Sequence, residues 1–327
     1  MDILATLDSM GVKRQGRKIG CFNKSDSTFS LHIYDDGAKC FSCGASYSHR
    51  QLLMKLKGEE IVSVKKNFIP EKAVRKFRNA LPKKERINIY SDFYNLLQDS
   101  KNIHTYLSEK RCIDYGIISQ KKIKYLENPV NVANKLRKKY DKESLIKSGL
   151  FGVSKREFFY FSFFKENSIV FPFFDKKNRP VYFQTRSISD KVFLKPTSLV
   201  EHHYYYGNIF NMKLFVFESI IDCLSYETIT GEDNYVSLNT LNYPNIVQLH
   251  KRFPNKEIIV VPDYDVAGNS LYELIKSKNR IRNIKAMSLP CLLKNIDSKY
   301  YGLVLSKLKL EFDLNDYLKE RRKYEKR

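Results

Sequence analysis

The sequence predicts a mixed α+β and α/β protein built from a small N-terminal domain, an α+β middle part and a C-terminal parallel sheet with crossover helices, and three observations predict it. Short apolar strand candidates alternate with helices from Leu214 onward. Closely spaced strands with polar turns precede them from Phe158. A Cys-bearing, strand-rich patch with flanking helices lies near the start. At 327 residues the chain has room for two or three domains. Hydrophobic residues make up 43%, with 22 Tyr and 22 Phe, so it can bury enough apolar surface to offset its ordering entropy.

Residues 1–62 form the first unit. Residues 3–10 read as a short apolar helix and 50–56 as an amphipathic one. Between them Cys40-Phe41-Ser42-Cys43-Gly44 is a two-residue-spaced Cys pair closing in a Gly turn, the usual half of a tetrahedral zinc site, and Cys21 can supply a third thiolate. The fourth ligand is unassigned, with His32, His49 and Asp26 as the nearby donors. Cys112, Cys223 and Cys291 have no partner spacing and read as structural. Residues 63–86 are a basic linker, running from Lys65 and Lys66 through Arg75, Lys76 and Arg78 to Arg86 with few apolar residues.

Residues 87–212 are the middle part. Residues 87–125 are helical by pattern, with Phe93, Leu96, Leu97, Ile103 and Leu107 at three- and four-residue spacings. Residues 158–164, 168–174, 180–187 and 191–194 then read as strands separated by polar turns. In the last unit, 213–327, strands at 214–217, 235–237 and 257–262 alternate with helices at 222–230, 246–252 and 270–278. That order implies a parallel sheet, whose reactive groups gather beyond the carboxyl ends of its strands.

Glu218 directly follows the first of these strands, and Asp263 and Asp265 follow the third. Two carboxylates two residues apart reach the same side of an extended segment, and a hard divalent cation requires oxygen ligands of this kind. Asp222 joins Glu218 if a helix begins between them. Gly268 lets backbone approach closely where the next helix starts. A third acidic set, Asp313-Leu314-Asn315-Asp316, follows Phe312. One Asp after a strand is ordinarily a helix cap; three acidic sets ending three elements point to a site.

Fifty-eight Lys and Arg against 36 Asp and Glu give a net charge of +22, which favours a polyanionic partner, nucleic acid above all. The N-terminal residues have no basic region, apolar core or cleavage site of a secretory signal, and no stretch has the apolar length of a membrane span. The expected location is the cytoplasm, where cysteines stay reduced.

Phe217-Glu218-Ser219-Ile220-Ile221-Asp222, Pro262-Asp263-Tyr264-Asp265-Val266-Ala267-Gly268 and Asp313-Leu314-Asn315-Asp316 resemble the ordered signature of the Toprim domain, the last set in its primase version. The resemblance implies catalytic Glu218, Asp263 and Asp265, with Asp222, Asp313 and Asp316 as further ligands of Mg²⁺ or Mn²⁺. Where the family usually has Gly in a tight turn, this chain has Ser219.

The stretch from Cys21 to Leu31, followed by Lys39-Cys40-Phe41-Ser42-Cys43-Gly44-Ala45, resembles the primase zinc ribbon, in which the position of Lys24 is normally His or Cys. The runs Ser168-Ile169-Val170-Phe171-Pro172-Phe173, Phe183-Gln184-Thr185-Arg186, Lys191-Val192-Phe193-Leu194 and Tyr205-Tyr206-Gly207 resemble the segment before the Toprim fold in bacterial DnaG-type and related phage primases. This implies a DNA primase in which Arg186 and Lys191 contact nucleotide phosphates and template, with Ser168 where the family often has Arg. Its partners would be single-stranded DNA, ribonucleoside triphosphates and a replicative helicase acting in trans, since no P-loop motif is present. A Toprim nuclease and a non-catalytic DNA-binding replication accessory are the alternatives.

Overall fold

The structure, a computed structural model, describes residues 3–22, 29–34, 37–40, 45–58, 81–154, 158–190, 192–196, 205–208, 210–238, 241–278 and 283–325. They divide into two compact units, one of residues 1–78 with 242–248 and one of 79–241 with 249–327. No helix among the described residues is long and apolar enough to cross a membrane.

The first unit opens with α1 (Ile3–Ser9) and an antiparallel sheet of β1 (Arg14–Gln15), β2 (Lys18–Ile19), β3 (Leu31–Tyr34), β4 (Gly37–Cys40) and β5 (Ser46–Tyr47), paired in chain order. Leu31 and Ile33 of β3 point inward and His32 and Tyr34 outward, the two-residue alternation of a half-buried strand. Helix α2 (His49–Leu56) starts at a capping box in which Ser48 and Gln51 satisfy each other's backbone N–H groups. Ile3, Leu7, Ile19, Leu31, Leu52, Cys21 and Cys40 are buried in one core.

The expected linker 63–86 lies largely outside the described residues, and its last four residues belong to α3 (Lys83–Asn95). The helical reading of 87–125 is broken into α4 (Lys101–His104), a π-turn over Thr105–Lys110 and α5 (Tyr115–Gln120), and it ends in a strand, β6 (Lys124–Leu126). Helices α6 (Pro129–Lys139) and α7 (Lys142–Ser148) follow, capped by Asn128 and Asp141. A hairpin of β7 (Phe151–Val153) and β8 (Phe159–Phe161) leads to β9 (Ser168–Phe174), β10 (Pro180–Ser187) and β11 (Phe193–Leu194).

The antiparallel order is β11-β10-β9-β6. Pro172 is tolerated inside β9 because β6 pairs only with residues 168–170 of that strand, so the missing N–H falls on an unpaired edge. Phe93 of α3 packs on Phe161, Phe163 and Phe183, with ring centroids 5.9, 5.3 and 4.8 Å away.

The remaining elements are β12 (Tyr205–Tyr206), β13 (Lys213–Phe217), α8 (Ile220–Thr230), β14 (Tyr235–Ser237), α9 (Tyr243–Arg252), β15 (Glu257–Val260), α10 (Val266–Ser277), β16 (Ile284–Ala286), α11 (Leu289–Ile296), α12 (Ser298–Leu305) and α13 (Leu314–Glu325). The sheet order is β12-β14-β13-β15-β16, with β13 to β16 parallel and β12 an antiparallel edge. The β-strand and helix alternation expected from residue 214 is therefore realised as a parallel sheet.

Candidate active site

The chain leaves β13 for β14 on one side of it and then crosses to β15 on the other. Connections that diverge in this way open a crevice beyond the carboxyl ends of the two strands. Val216 registers with both Val236 and Val260. Glu218 and Asp263 therefore start from nearly the same level of the sheet.

Glu218 is exposed at the end of β13, and its carbonyl accepts the hydroxyl of Ser237 at 3.1 Å. Ser219 has φ −114°, so this position demands no glycine; its side chain instead caps α8. Its Oγ accepts from the Asp222 N–H at 3.2 Å and donates to Asp222 Oδ2 at 2.6 Å. Asp222, in the first turn of α8 as expected, is only 3% exposed, and among the described residues its Oδ1 has no hydrogen-bond partner of good geometry.

Asp265 caps α10, accepting from the Gly268 N–H at 2.6 Å. Gly268 lies so close to the preceding turn that a Cβ there would stand 2.0 Å from the Asp263 carbonyl oxygen and 3.0 Å from its carbon. Backbone cannot yield as a side chain does. Gly268→Ala is expected to cost about 2–4 kcal/mol of stability, measurable by thermal unfolding.

Phe312 and Tyr264 form an isolated antiparallel bridge, exchanging N–H···O bonds of 3.0 and 3.2 Å, and their rings pack 5.2 Å apart. This bridge brings Asp313 beside the Asp263 turn. Asp313 Oδ1 accepts from the Asp316 N–H at 2.7 Å, and Asp316 pairs with Lys319. Asn315 is buried and donates to Ser225 Oγ at 3.0 Å and the Arg111 carbonyl at 2.7 Å. Farther along α13, Tyr317 and Arg321 both hold Asp297.

Burial, then the neighbouring Asp222, Glu218, Asp313 and Asp265 charges, push the Asp263 carboxyl up to about 9. Burial and the Asp313 charge push Asp222 up to about 7, and burial followed by Asp316 raises Asp313. The three acidic sets thus converge electrostatically. Among the described residues no group of three or more His, Cys, Asp or Glu side chains is close enough to hold an ion. The oxygen-only donors and the orphaned Asp222 Oδ1 are nevertheless the chemistry that suits a hard cation.

Arg186 lies inside β10 and is 7% exposed, its Nε donating to Tyr106 Oη at 2.5 Å. Lys191 is outside the described residues. Sequence reasoning missed Arg111, which follows the π-turn and donates from Nη1 to Asn315 Oδ1 at 3.2 Å, within the third acidic set. Ser168 turns inward, its hydroxyl donating to the Lys165 carbonyl at 3.0 Å. Cys21 and Cys40 share the core of the first unit, whereas Cys43, Lys24 and Asp26 fall outside the described residues.

Residues 92–206 match the family described as DNA primase catalytic core, N-terminal domain, and residues 215–299 match the Toprim-like family. Comparison with curated protein sequences gave no match. Among solved structures, the DnaG primase catalytic domain bound to ssDNA is 19% identical, over 74% of this chain and 83% of that one, with a TM-score of 0.52. The Aquifex aeolicus primase, comprising zinc-binding and RNA polymerase domains, is 16% identical over 99% of this chain and 81% of its own, also at 0.52. The RNA polymerase domain of Mycobacterium tuberculosis primase DnaG is 14% identical over 71% and 85%, at 0.53. At such identities these likenesses are of fold. The two family matches, however, are consecutive, a primase catalytic core N-terminal domain followed by a Toprim-like domain, and they make this chain a DNA primase, an enzyme that synthesises RNA primers.

Proposed function

We propose that this primase joins ribonucleotides on a single-stranded DNA template with Glu218, Asp222, Asp263, Asp265, Asp313 and Asp316 as the acidic residues of its reaction centre. What supports this reading is that the acidic sets follow β13, β15 and the Phe312 bridge to Tyr264 and interact through their charges, so that burial and mutual repulsion disfavour their charged forms. Carboxylates that repel one another favour a divalent cation between them, and their oxygens suit Mg²⁺ or Mn²⁺. Such an ion, when bound, lowers the pKa of the attacking 3′-hydroxyl and neutralises the leaving pyrophosphate.

Exposed Glu218 is the residue to take the proton of that hydroxyl. Asp263, Asp265 and Asp222 hold the cation side of the triphosphate, with Asp313 and Asp316 supporting them. Arg111 and Arg186 offer guanidinium groups to phosphate oxygens, a match of planar donors to a tetrahedral anion, and Lys191 adds a further cation. Holding the 3′-hydroxyl and the α-phosphorus in line is the remaining task.

The charge of +22 suits a template and a heteroduplex. A helicase would act in trans. Cys21, Cys40 and Cys43 are three of four ligands in a proposed structural zinc site; metal content with and without Cys40→Ser tests it. The reaction itself is tested by incorporation of labelled ribonucleotides on single-stranded DNA with Mg²⁺ or Mn²⁺. Short oligoribonucleotides are expected. Cleavage of the DNA instead selects a nuclease, and binding with neither product selects a non-catalytic accessory.

A further inference from the structure

Two arginines, one of them bonded to Asn315 of the third acidic set, share one partner. Arg111 Nε and Nη2 donate to Tyr106 Oη at 3.2 and 3.0 Å, and Arg186 Nε donates to the same oxygen at 2.5 Å. The two guanidinium carbons lie 5.4 and 5.7 Å from the Tyr106 ring centroid, and that of Arg186 also lies 4.6 Å from the ring of Phe193. Among the described residues neither arginine forms an ion pair with a carboxylate. Three N–H donors on one phenol oxygen exceed its two lone pairs, and like charges so placed repel.

The backbone is bent to make this arrangement. In an α-helix, residues five apart point roughly 140° away from each other. The π-turn over Thr105–Lys110 has wider turns, and it brings Tyr106 and Arg111 to the same side. Directly after Arg111, Cys112 has φ 60°, a left-handed conformation that costs a non-glycine residue about 1 kcal/mol. Both local costs flank the one residue that joins Tyr106 to Asn315 and so to the third acidic set.

We propose that Tyr106 is a positioning residue for primer synthesis: its Oη fixes the separation of Arg111 and Arg186 so that their remaining N–H groups meet the phosphates of the incoming ribonucleoside triphosphate. The proposal rests on the reading above that these arginines face nucleotide phosphate. Arg186 spends one donor on Tyr106, and its two terminal nitrogens have no hydrogen-bond partner among the described residues. Tyr106 is 6% exposed and acts through the arginines without touching substrate.

Tyr106→Phe keeps the ring and removes only the oxygen. Primer synthesis by the full chain is measured at varied ribonucleoside triphosphate for Y106F, R111A and the double variant. Y106F is expected to raise KM about tenfold, the loss of one charge-assisted hydrogen bond, with a smaller fall in kcat. R111A should raise KM at least as far, and the double variant no further than R111A.

A Y106F that lowers Tm and kcat, leaves KM in place and adds to R111A overturns the proposal alone. If R111A also leaves KM unmoved, the phosphate reading falls and the proposal with it. Arg186→Lys, which removes the Nε contact while keeping the charge and the intact Tyr106, is the second variant should Y106F not fold. It is expected to raise KM by a similar factor, and an unchanged KM counts against the shared oxygen.

Discussion

Asp263→Asn is expected to cut primer synthesis by about a thousandfold while raising the Tm of the cation-free protein by about 3–6 °C. The two effects come from one cause. The Asp263 carboxyl is partly buried and feels the charges of Asp222, Glu218, Asp313 and Asp265, so its charged form is disfavoured in the folded state. The amide keeps the shape and one acceptor oxygen and has neither a charge to hold nor a proton to take up on folding, so near neutral pH the fold gains. Without that carboxylate a divalent cation loses a proposed ligand. Circular dichroism melts alongside nucleotide incorporation check both arms; a variant that loses activity and stability together would place Asp263 among ordinary structural residues.

A divalent cation is expected to raise Tm, and to raise it more at about pH 8.5 than at about pH 6. Asp222 and Asp263 have folded-state values of about 7 and about 9, both above the usual 3.8. The folded protein therefore binds protons more tightly than the unfolded chain between those limits, and its stability falls as pH rises through that window. At the lower pH, protons occupy the sites a cation would use. At the higher pH the cation relieves exposed repulsion, and tenfold saturation adds about 1.4 kcal/mol, or about 3–5 °C. Thermal melts with Mg²⁺ or Mn²⁺ at the two pH values measure the difference. Equal increments at both would show that the cation binds away from these carboxylates.

The parallel sheet was legible because its strands are buried on both faces and read as uninterrupted apolar runs: 235–237 was placed to the residue, and 214–217 and 257–262 within one or two. The acidic sets followed, since strand ends dictate where their carboxylates emerge. Gly268 was legible for the same reason. What failed to show was structure imposed from a distance.

β6 is three residues long and exists because Tyr125 and its neighbours find β9, which no local pattern announces. The π-turn carries no periodic signal, so Arg111 looked like one more charge on a helix. Arg186 reads from the sequence as a phosphate contact, but its burial between Tyr106 and Phe193 depends on residues far along the chain. Ser219 looked like a departure from a needed glycine. Its extended backbone and its bonds to Asp222 make it a helix cap.

The bond between Arg111 and Asn315 spans 204 residues of sequence, and that between Asn315 and Ser225 spans 90. On a ribosome adding about 5–20 residues each second, Arg111 is made about 10–40 s before Asn315 arrives. Only in the last part of that interval does the nascent chain carry β13, β15 and the first two carboxylate sets, and it still lacks Phe312 to close on Tyr264. On the proposed reading, competence to begin a strand of RNA therefore waits for the segment that supplies the third set, and until residue 316 is made the growing polypeptide is a silent precursor of the enzyme.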